Sequence, residues 1–156
     1  IDKINSNLNY FVGRSIYSGK LKYKNPPVSK DIIAFELYIN WNEPVVLCEG
    51  VFDAIAIKRN AIPLLGKTIS QTLLQKLVHN KVPEIILALD ADAIDTSVKI
   101  SQRLMRYGFN VSRIVLADKD PSELGFKKMR KEVFNRVPVN HYELILQRIA
   151  SGSIWK

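Results

Sequence analysis

The most informative stretch of this chain reads Val45-Val46-Leu47-Cys48-Glu49-Gly50-Val51-Phe52-Asp53. Its first four residues are apolar and rich in β-formers, which predicts a buried strand, and an acid with a glycine follows at the carboxyl end of that strand. Similar apolar runs recur at residues 62–65, 85–89 and 111–116. We interpret all four runs as strands.

Helical periodicity fills the intervals between these strands. The candidate helices cover residues 52–59, 70–79 and 94–107, and Gly108 ends the third of them. Alternation of strands and helices is typical of βαβ units, and near-continuous apolar strands indicate a parallel sheet with helices on both faces. The predicted fold class is therefore α/β, Rossmann-like, with a central and mainly parallel sheet.

The flanking segments suggest a division of the chain into three parts. Ser29 is a candidate cap for a short helix at 31–38, although a strand remains an alternative there. Near the other end, Pro138 should break a helix that starts at Pro121, and Asn140 is a candidate cap for a last helix. We predict a small basic amino-terminal element, a main domain and a carboxyl-terminal helix, at residues 1–43, 44–137 and 138–156.

Composition points to a soluble protein with a polyanionic partner. The chain has 156 residues, a formal net charge of +8 and 47% hydrophobic residues. No apolar run reaches the roughly 18 residues that span a bilayer, and no signal peptide is recognisable, so we expect no membrane partner. The single cysteine, Cys48, lies in an apolar run and is best interpreted as a small buried residue of a cytoplasmic protein. Because the sequence begins with Ile1 and not with methionine, the chain is compatible with a fragment of a longer protein.

Positive charge is concentrated near both ends of the chain. Residues 1–30 carry six lysines and arginines against one aspartate, and a second basic run covers 127–131. Such patches favour nucleic acid as a partner, whereas the plain alternative is a solvated surface.

Acidic residues follow three of the four predicted strands. They are Glu49, the pair Asp90 and Asp92, and Asp120. The carboxyl ends of parallel strands meet at one edge of a sheet, where clustered carboxylates would repel one another unless cations lay between them. Oxygen ligands without neighbouring cysteine or histidine favour Mg²⁺ or Mn²⁺ over Zn²⁺. Such a site would serve metal-dependent phosphoryl transfer, while helix capping explains each acid taken alone.

Two further residues are candidates for phosphate contacts at the same edge. Gly50 would let the backbone approach a phosphate closely, beside the N–H groups of the next helix. Lys67 follows the second strand, and its alternative is simple exposure. The segment Leu65-Gly66-Lys67-Thr68 is not a P-loop, because Ala61 occupies the position of the first glycine of that motif.

Three motifs in this order resemble the TOPRIM fold, which is shared by DnaG-type primases, topoisomerases and some nucleases. The motifs are Glu49-Gly50-Val51-Phe52-Asp53, Asp90-Ala91-Asp92 and Lys119-Asp120-Pro121-Ser122-Glu123-Leu124. The resemblance to phage or bacterial primases is closer, because three other segments also match. These are Leu64 to Thr68 with Gln71, Phe11 to Ile16, and Lys22 to Asn25, so that the resemblance covers roughly residues 10–137.

This resemblance implies a DNA primase that makes RNA primers on a single-stranded DNA template. It implies ribonucleoside triphosphates as substrates, Mg²⁺ or Mn²⁺ as the cofactor and a replicative helicase as a partner. Glu49, Asp90 and Asp92 would be catalytic, and the same three with Asp120 would bind metal. The implied nucleotide and DNA contacts are Arg14, Lys22, Tyr23, Asn25, Gly50, Asp53 and Lys67.

Departures from the family pattern keep other functions open. Ser122 stands where the family often has a further aspartate, which leaves Glu123 or Asp118 as alternative ligands. The zinc-binding domain of such primases has no counterpart here, so whether the chain primes alone stays open. The alternatives are a TOPRIM nuclease or topoisomerase-like enzyme, and a non-catalytic module that binds single-stranded DNA.

Overall fold

Five strands form the central sheet of the computed structural model, which describes residues 8, 10–17, 23–90, 93–116 and 120–150. A separate antiparallel pair consists of β1 (Gly13–Arg14) and β2 (Tyr23–Lys24). The strands of the central sheet are β3 (Val45–Cys48), β4 (Ala61–Pro63), β5 (Ile85–Ala88), β6 (Val111–Arg113) and β7 (Val137–Pro138). Their order across the sheet is β4-β3-β5-β6-β7.

Five α-helices accompany the sheet in the described part of the chain, and the bounds of the first four agree with the predicted helices to within two residues. They are α1 (Val51–Ile57), α2 (Gln71–His79), α3 (Ile94–Arg106), α4 (Pro121–Phe134) and α5 (His141–Ala150). Gly108 adopts a φ of 83° just after α3, which confirms its predicted role at the end of that helix. Asn140 is confirmed as a cap, because its Oδ1 accepts a hydrogen bond of 2.8 Å from the N–H of Glu143.

The four predicted strands are confirmed and run parallel. Residue Cys48 pairs with Pro63 on one side of β3 and with Ala88 on the other, so that the carboxyl ends of three strands are level. The strand β7 was not predicted, since Pro138 was interpreted only as a helix breaker. It pairs antiparallel with β6 at the edge of the sheet, where a residue without an N–H group is tolerated.

Apolar side chains on the two faces of the sheet form two cores. On one face, Val45 and Leu47 pack with residues of α2, α3 and α5. On the other face, Val46 and Cys48 pack with residues of α1 and α4. The strands β3 and β5 are buried along their whole length, which explains why their sequences are continuously apolar. Cys48 is fully buried, as predicted.

The predicted helix at 31–38 is wrong for most of its length, and only a 3₁₀ turn at Glu36–Tyr38 forms. Ser29 accepts a hydrogen bond from the N–H of Asp31, but the Asp31 carboxylate accepts one from the N–H of Thr72 at the start of α2. Phe35 has a φ of 63°, which is incompatible with a continuous right-handed helix. Tertiary contacts therefore override the local helical preference.

Within the described residues, no helix combines the length and the apolarity that crossing a membrane requires.

Candidate metal and nucleic-acid site

The order of the strands creates a crevice between β3 and β5. The chain passes from β3 through α1 to β4 on one side, and the next crossover returns through α2 to β5 on the other side of β3. In an open α/β sheet, ligands bind at such a reversal, beyond the carboxyl ends of the strands. Glu49 follows β3 at this point and Asp90 lies just beyond β5.

Glu49 and Asp90 are in direct contact across this crevice. The Oε1 atom of Glu49 accepts a hydrogen bond of 3.3 Å from the backbone N–H of Asp90. One carboxylate oxygen of Asp90, Oδ1, is buried. The backbone of Glu49 is also held, since its carbonyl accepts a hydrogen bond from the N–H of Leu65 at 3.2 Å. Both acids thus follow strands that are buried along their whole length.

A cavity of about 750 Å³ opens at this edge, and we call it the acidic cavity. Its wall includes Glu49, Asp90 and Asp120, so three of the four predicted metal ligands line one cavity. Asp92 and Lys22 lie outside the described residues, as does the alternative ligand Asp118. The other predicted nucleotide or DNA contacts on the wall are Arg14, Tyr23, Asn25, Gly50 and Asp53, and the alternative ligand Glu123 lies there too.

Helix capping, which was the plain alternative for each acid, does not account for Asp120. This residue is in the N-cap position of α4, but its side chain makes no capping hydrogen bond. Its backbone carbonyl instead accepts hydrogen bonds from the N–H groups of Glu123 and Leu124 at 3.0 and 3.2 Å. The Asp120 side chain is exposed and faces the acidic cavity.

The donor set of the acidic cavity fits a hard divalent cation. Carboxylate oxygens are the ligands that Mg²⁺ and Mn²⁺ prefer, and Mg²⁺ is commonly held by one or two carboxylates with waters and substrate phosphates. Across the described part of the chain, no three acidic, histidine or cysteine side chains are close enough to hold one ion together. A metal here would therefore rest on Glu49 and Asp90, which are in contact, with phosphates or water completing the coordination.

The negative charge of these acids acts on the Cys48 thiol, which lies in the core next to them. Burial raises the pKa of the Cys48 thiol well above its ordinary value, and the charges of Asp53, Asp90 and Glu49 act in the same direction. The thiol is therefore protonated and unreactive at neutral pH.

Asp53 joins the two segments that carry the acids. Its side chain is only 8% exposed, and its two oxygens accept hydrogen bonds from the backbone N–H groups of Gly50, at 3.0 Å, and Ser122, at 3.1 Å. These bonds link the turn after β3 to the start of α4, next to Asp120. The nucleotide or DNA contact predicted for Asp53 stays a prediction, whereas the contacts in the structure support a role in positioning.

Gly50 is adjacent to this link, and a side chain at this position would crowd the Asp53 carboxylate. A Cβ atom at this position would lie 3.0 Å from Oδ2 of Asp53, which is closer than real Cβ atoms normally approach an oxygen. The close approach of Gly50 to a phosphate was predicted from its position after β3 and stays a prediction. The structure adds an independent reason for glycine here, which is the short distance between a Cβ atom at this position and the Asp53 carboxylate.

Arg14 reaches the acidic cavity from the β1–β2 pair. Its guanidinium carbon lies 5.7 Å from the centre of the Tyr23 ring and 5.2 Å from that of Phe52. Both distances are within the range of cation–π contacts, which hold the guanidinium in place without neutralising it. Phe52 was missed as a site residue, although its place directly after Glu49-Gly50-Val51 was a signal that could have identified it. Tyr10, also missed, lines the same cavity.

Lys67 approaches the same acids through a second, smaller cavity. This cavity has a volume of about 440 Å³, and Lys67, Glu49 and Asp90 all line it. The side chain of Lys67 is exposed. Glu49 and Asp90 therefore line both cavities, and each cavity offers one of the predicted cations, Arg14 or Lys67.

This fold has a counterpart among known families. Residues 46–124, just over half of the chain, match the family described as Toprim-like. The chain belongs to the Toprim-like family. The predicted TOPRIM fold is thereby confirmed.

Solved structures with a similar fold extend this result. The zinc-binding and RNA polymerase domains of the Aquifex aeolicus primase match with a TM-score of 0.66 and 22% identity, over 83% of this chain and 37% of that one. The RNA polymerase domain of Mycobacterium tuberculosis primase DnaG matches with a TM-score of 0.58 and 19% identity, over 83% of this chain and 51% of that one. At these identities the similarity establishes a shared fold with the polymerase region of DnaG-type primases.

The curated relative is the uncharacterized protein MG010 of Mycoplasma genitalium. It is 30% identical over 132 residues, which are 76% of this chain and 60% of the relative. The chain thus spans about 60% of the length of that relative.

Proposed function

We propose that this chain is the catalytic core of a DNA primase that synthesises RNA primers on single-stranded DNA. The observation that carries the proposal is the acidic cavity, where Glu49, Asp90 and Asp120 face Arg14 at the reversal point of the sheet. Its substrates would be ribonucleoside triphosphates, its partners a DNA template and a replicative helicase, and its location the cytoplasm.

The reaction joins a 3′-hydroxyl oxygen to the α-phosphorus of the incoming nucleotide and releases pyrophosphate. Bound Mg²⁺ or Mn²⁺ would activate the attacking oxygen and neutralise the charge that develops on the phosphates. Glu49 and Asp90, held by their mutual hydrogen bond, would bind the cation with Asp120 and with Asp92, which is outside the described residues. Arg14 and Lys67 would hold phosphates on either side of these acids, because both side chains line cavities that the acids share.

The N-terminal cations would hold the template next to this cavity. Arg14 lies opposite Tyr23 in the β1–β2 pair, and Asn25 follows directly on the cavity wall. An exposed guanidinium stacked on two rings can bind a phosphate while the rings limit its motion. Lys22, in the same segment but outside the described residues, would add a further phosphate contact.

A non-catalytic module that binds single-stranded DNA is the second candidate function. It is favoured by Ser122, which stands where the family often has a further acidic ligand. Such a module would bind DNA through salt-sensitive phosphate contacts that need no divalent metal. Dependence on metal therefore distinguishes the two candidates.

The test is primer synthesis from labelled ribonucleotides on a single-stranded template, with the chain alone and within a longer primase. We expect synthesis that requires Mg²⁺ or Mn²⁺ and that falls by roughly a thousandfold or more in Asp90→Asn, because a metal ligand is lost while the backbone bond to Glu49 stays. Glu132→Gln, which removes a carboxylate of α4 away from the cavity, serves as the matched control. Full synthesis by the Asp90→Asn protein would refute the metal mechanism.

A further inference from the structure

A third cavity, of about 860 Å³, lies along α4 and shares no lining residue with the acidic cavity. The end of α1 and one face of α4 form its walls. We call this surface the α4 groove, and the residues that define it are Arg59, Phe126, Lys127, Arg130, Lys131 and Phe134.

The α4 groove carries an excess of positive charge. Lys127, Arg130 and Lys131 follow the i, i+3, i+4 spacing that places side chains on one face of a helix, and all three are exposed. In the described part of the structure, these three and Arg59 form no ion pair, and no acid lines the groove. Arg136 at its edge differs, since its guanidinium is paired with Glu84 at 2.7 Å. Four unneutralised cations around one groove favour an anionic ligand.

Exposed aromatic rings accompany these cations. Phe134 is 82% exposed and lies seven residues after Lys127, on the same face of α4. Phe126 is 41% exposed, and the ammonium group of Lys58 lies 4.8 Å from the centre of its ring. A largely exposed phenylalanine forgoes the stabilisation of burial, which a nucleobase stacked on the Phe134 ring would supply. Cations that hold phosphates and rings that stack with bases together characterise surfaces for single-stranded nucleic acid.

We propose that the α4 groove binds single-stranded nucleic acid, with phosphates on its four cations and a base stacked on Phe134. The position of α4 supports this ligand. Ser122 and Glu123 line the acidic cavity, and Lys127 follows four residues after Glu123, just beyond a kink at Gly125, where the φ of 70° and ψ of 172° are not helical. A strand that leaves the acidic cavity can therefore continue along the groove. An acidic peptide would use the cations but has no base to stack on Phe134.

The test measures binding of a fluorescent oligothymidylate by anisotropy, at several salt concentrations and with EDTA present. EDTA makes the result independent of the metal site in the proposed function. The variants are Phe134→Ala, Phe134→Trp and the double change Lys127→Gln with Arg130→Gln. The matched control is Lys99→Gln with Arg106→Gln, which removes two exposed cations from α3. Thermal midpoints by circular dichroism check that each variant is folded.

We expect the groove double variant to bind about tenfold more weakly and to lower the slope of log affinity against log salt by about 1.4, at 0.7 per phosphate contact. Phe134→Ala should weaken binding at least about fivefold with the slope unchanged, and Phe134→Trp should bind normally. The control should stay within about twofold of the parent. Equal losses in the two double variants would overturn the proposal, and so would an unchanged Phe134→Ala. If polyglutamate displaces the oligothymidylate equally well from the parent and from Phe134→Ala, the partner is an acidic protein, and this result would also overturn the proposal.

Discussion

A single carboxylate, that of Asp53, connects the sequence motifs of this site in space. It accepts backbone hydrogen bonds from Gly50 and from Ser122, which is 69 positions later in the chain. Ser122 stands at a position where the family often has an acid. The link to Asp53 uses the backbone N–H group of Ser122 and not its side chain. The geometry of Asp120 relative to Glu49 thus depends on a residue that is itself almost buried.

Replacing Asp53 with Ala should therefore lower stability and activity together. Both backbone N–H groups would lose their acceptor, which should cost about 1–3 kcal/mol in the free energy of unfolding. Urea denaturation measures this cost, and Asp53→Asn, which keeps one acceptor oxygen, should lose less. If Asp53→Ala unfolds at the same urea concentration as the parent, Asp53 does not position the site.

Among the elements, the amino-terminal end of β5 is joined to the segment after α4 through Glu84, which directly precedes β5. Its carboxylate accepts hydrogen bonds of 2.7 Å from the guanidinium of Arg136 and from the hydroxyl of Ser112 in β6. The hydrogen bond from Arg136 is the main cause that lowers the pKa of Glu84 below its ordinary value of 4.5. The charged form of Glu84 is therefore favoured in the folded protein.

This pKa predicts how stability depends on pH. Because the folded pKa lies below the unfolded one, the contribution of Glu84 is complete above about pH 4.5 and is lost as the pH falls through the folded pKa. Glu84→Gln should cost about 1 kcal/mol at neutral pH, since the pair is partly exposed and screened by solvent. Thermal unfolding of both proteins between pH 7 and pH 3 should show the difference shrinking below pH 4.5. A difference that stays constant with pH would contradict this account.

At the scale of the whole molecule, the carboxylates at the edge of the sheet repel one another when no cation is bound. Adding Mg²⁺ or Mn²⁺ should therefore raise the thermal midpoint, by an amount that corresponds to about 2.7 kcal/mol at a concentration of 100 times Kd. Differential scanning fluorimetry measures the shift, and NaCl at equal ionic strength is its control. Asp90→Asn should be at least as stable without metal and should lose the shift. An equal shift in that variant would place the cation elsewhere.

Local patterns in the sequence predicted most of this fold. Buried strands such as Val45–Cys48 are continuously apolar because both of their faces are covered, and α3 ends where Gly108 permits a positive φ. The acids after β3 and β5 could be assigned to one edge because parallel strands all end on the same side. These inferences need only neighbours in the chain and the geometry that all parallel sheets share.

Tertiary structure alone decided the remaining features. Three of these features join residues that are distant in sequence. They are the pairing of Pro138 in β7, the hydrogen bond from Ser122 to Asp53 and the stacking of Arg14 on Phe52. The fourth is the absence of the predicted helix at 31–38, where only a 3₁₀ turn forms. Local preferences at these positions are weak or point to another structure, whereas burial and hydrogen bonding in the folded chain outweigh them. The sequence by itself thus determined the class of fold and the strands that the candidate acids follow. How those acids are held, and which cations and rings surround them, followed only from packing.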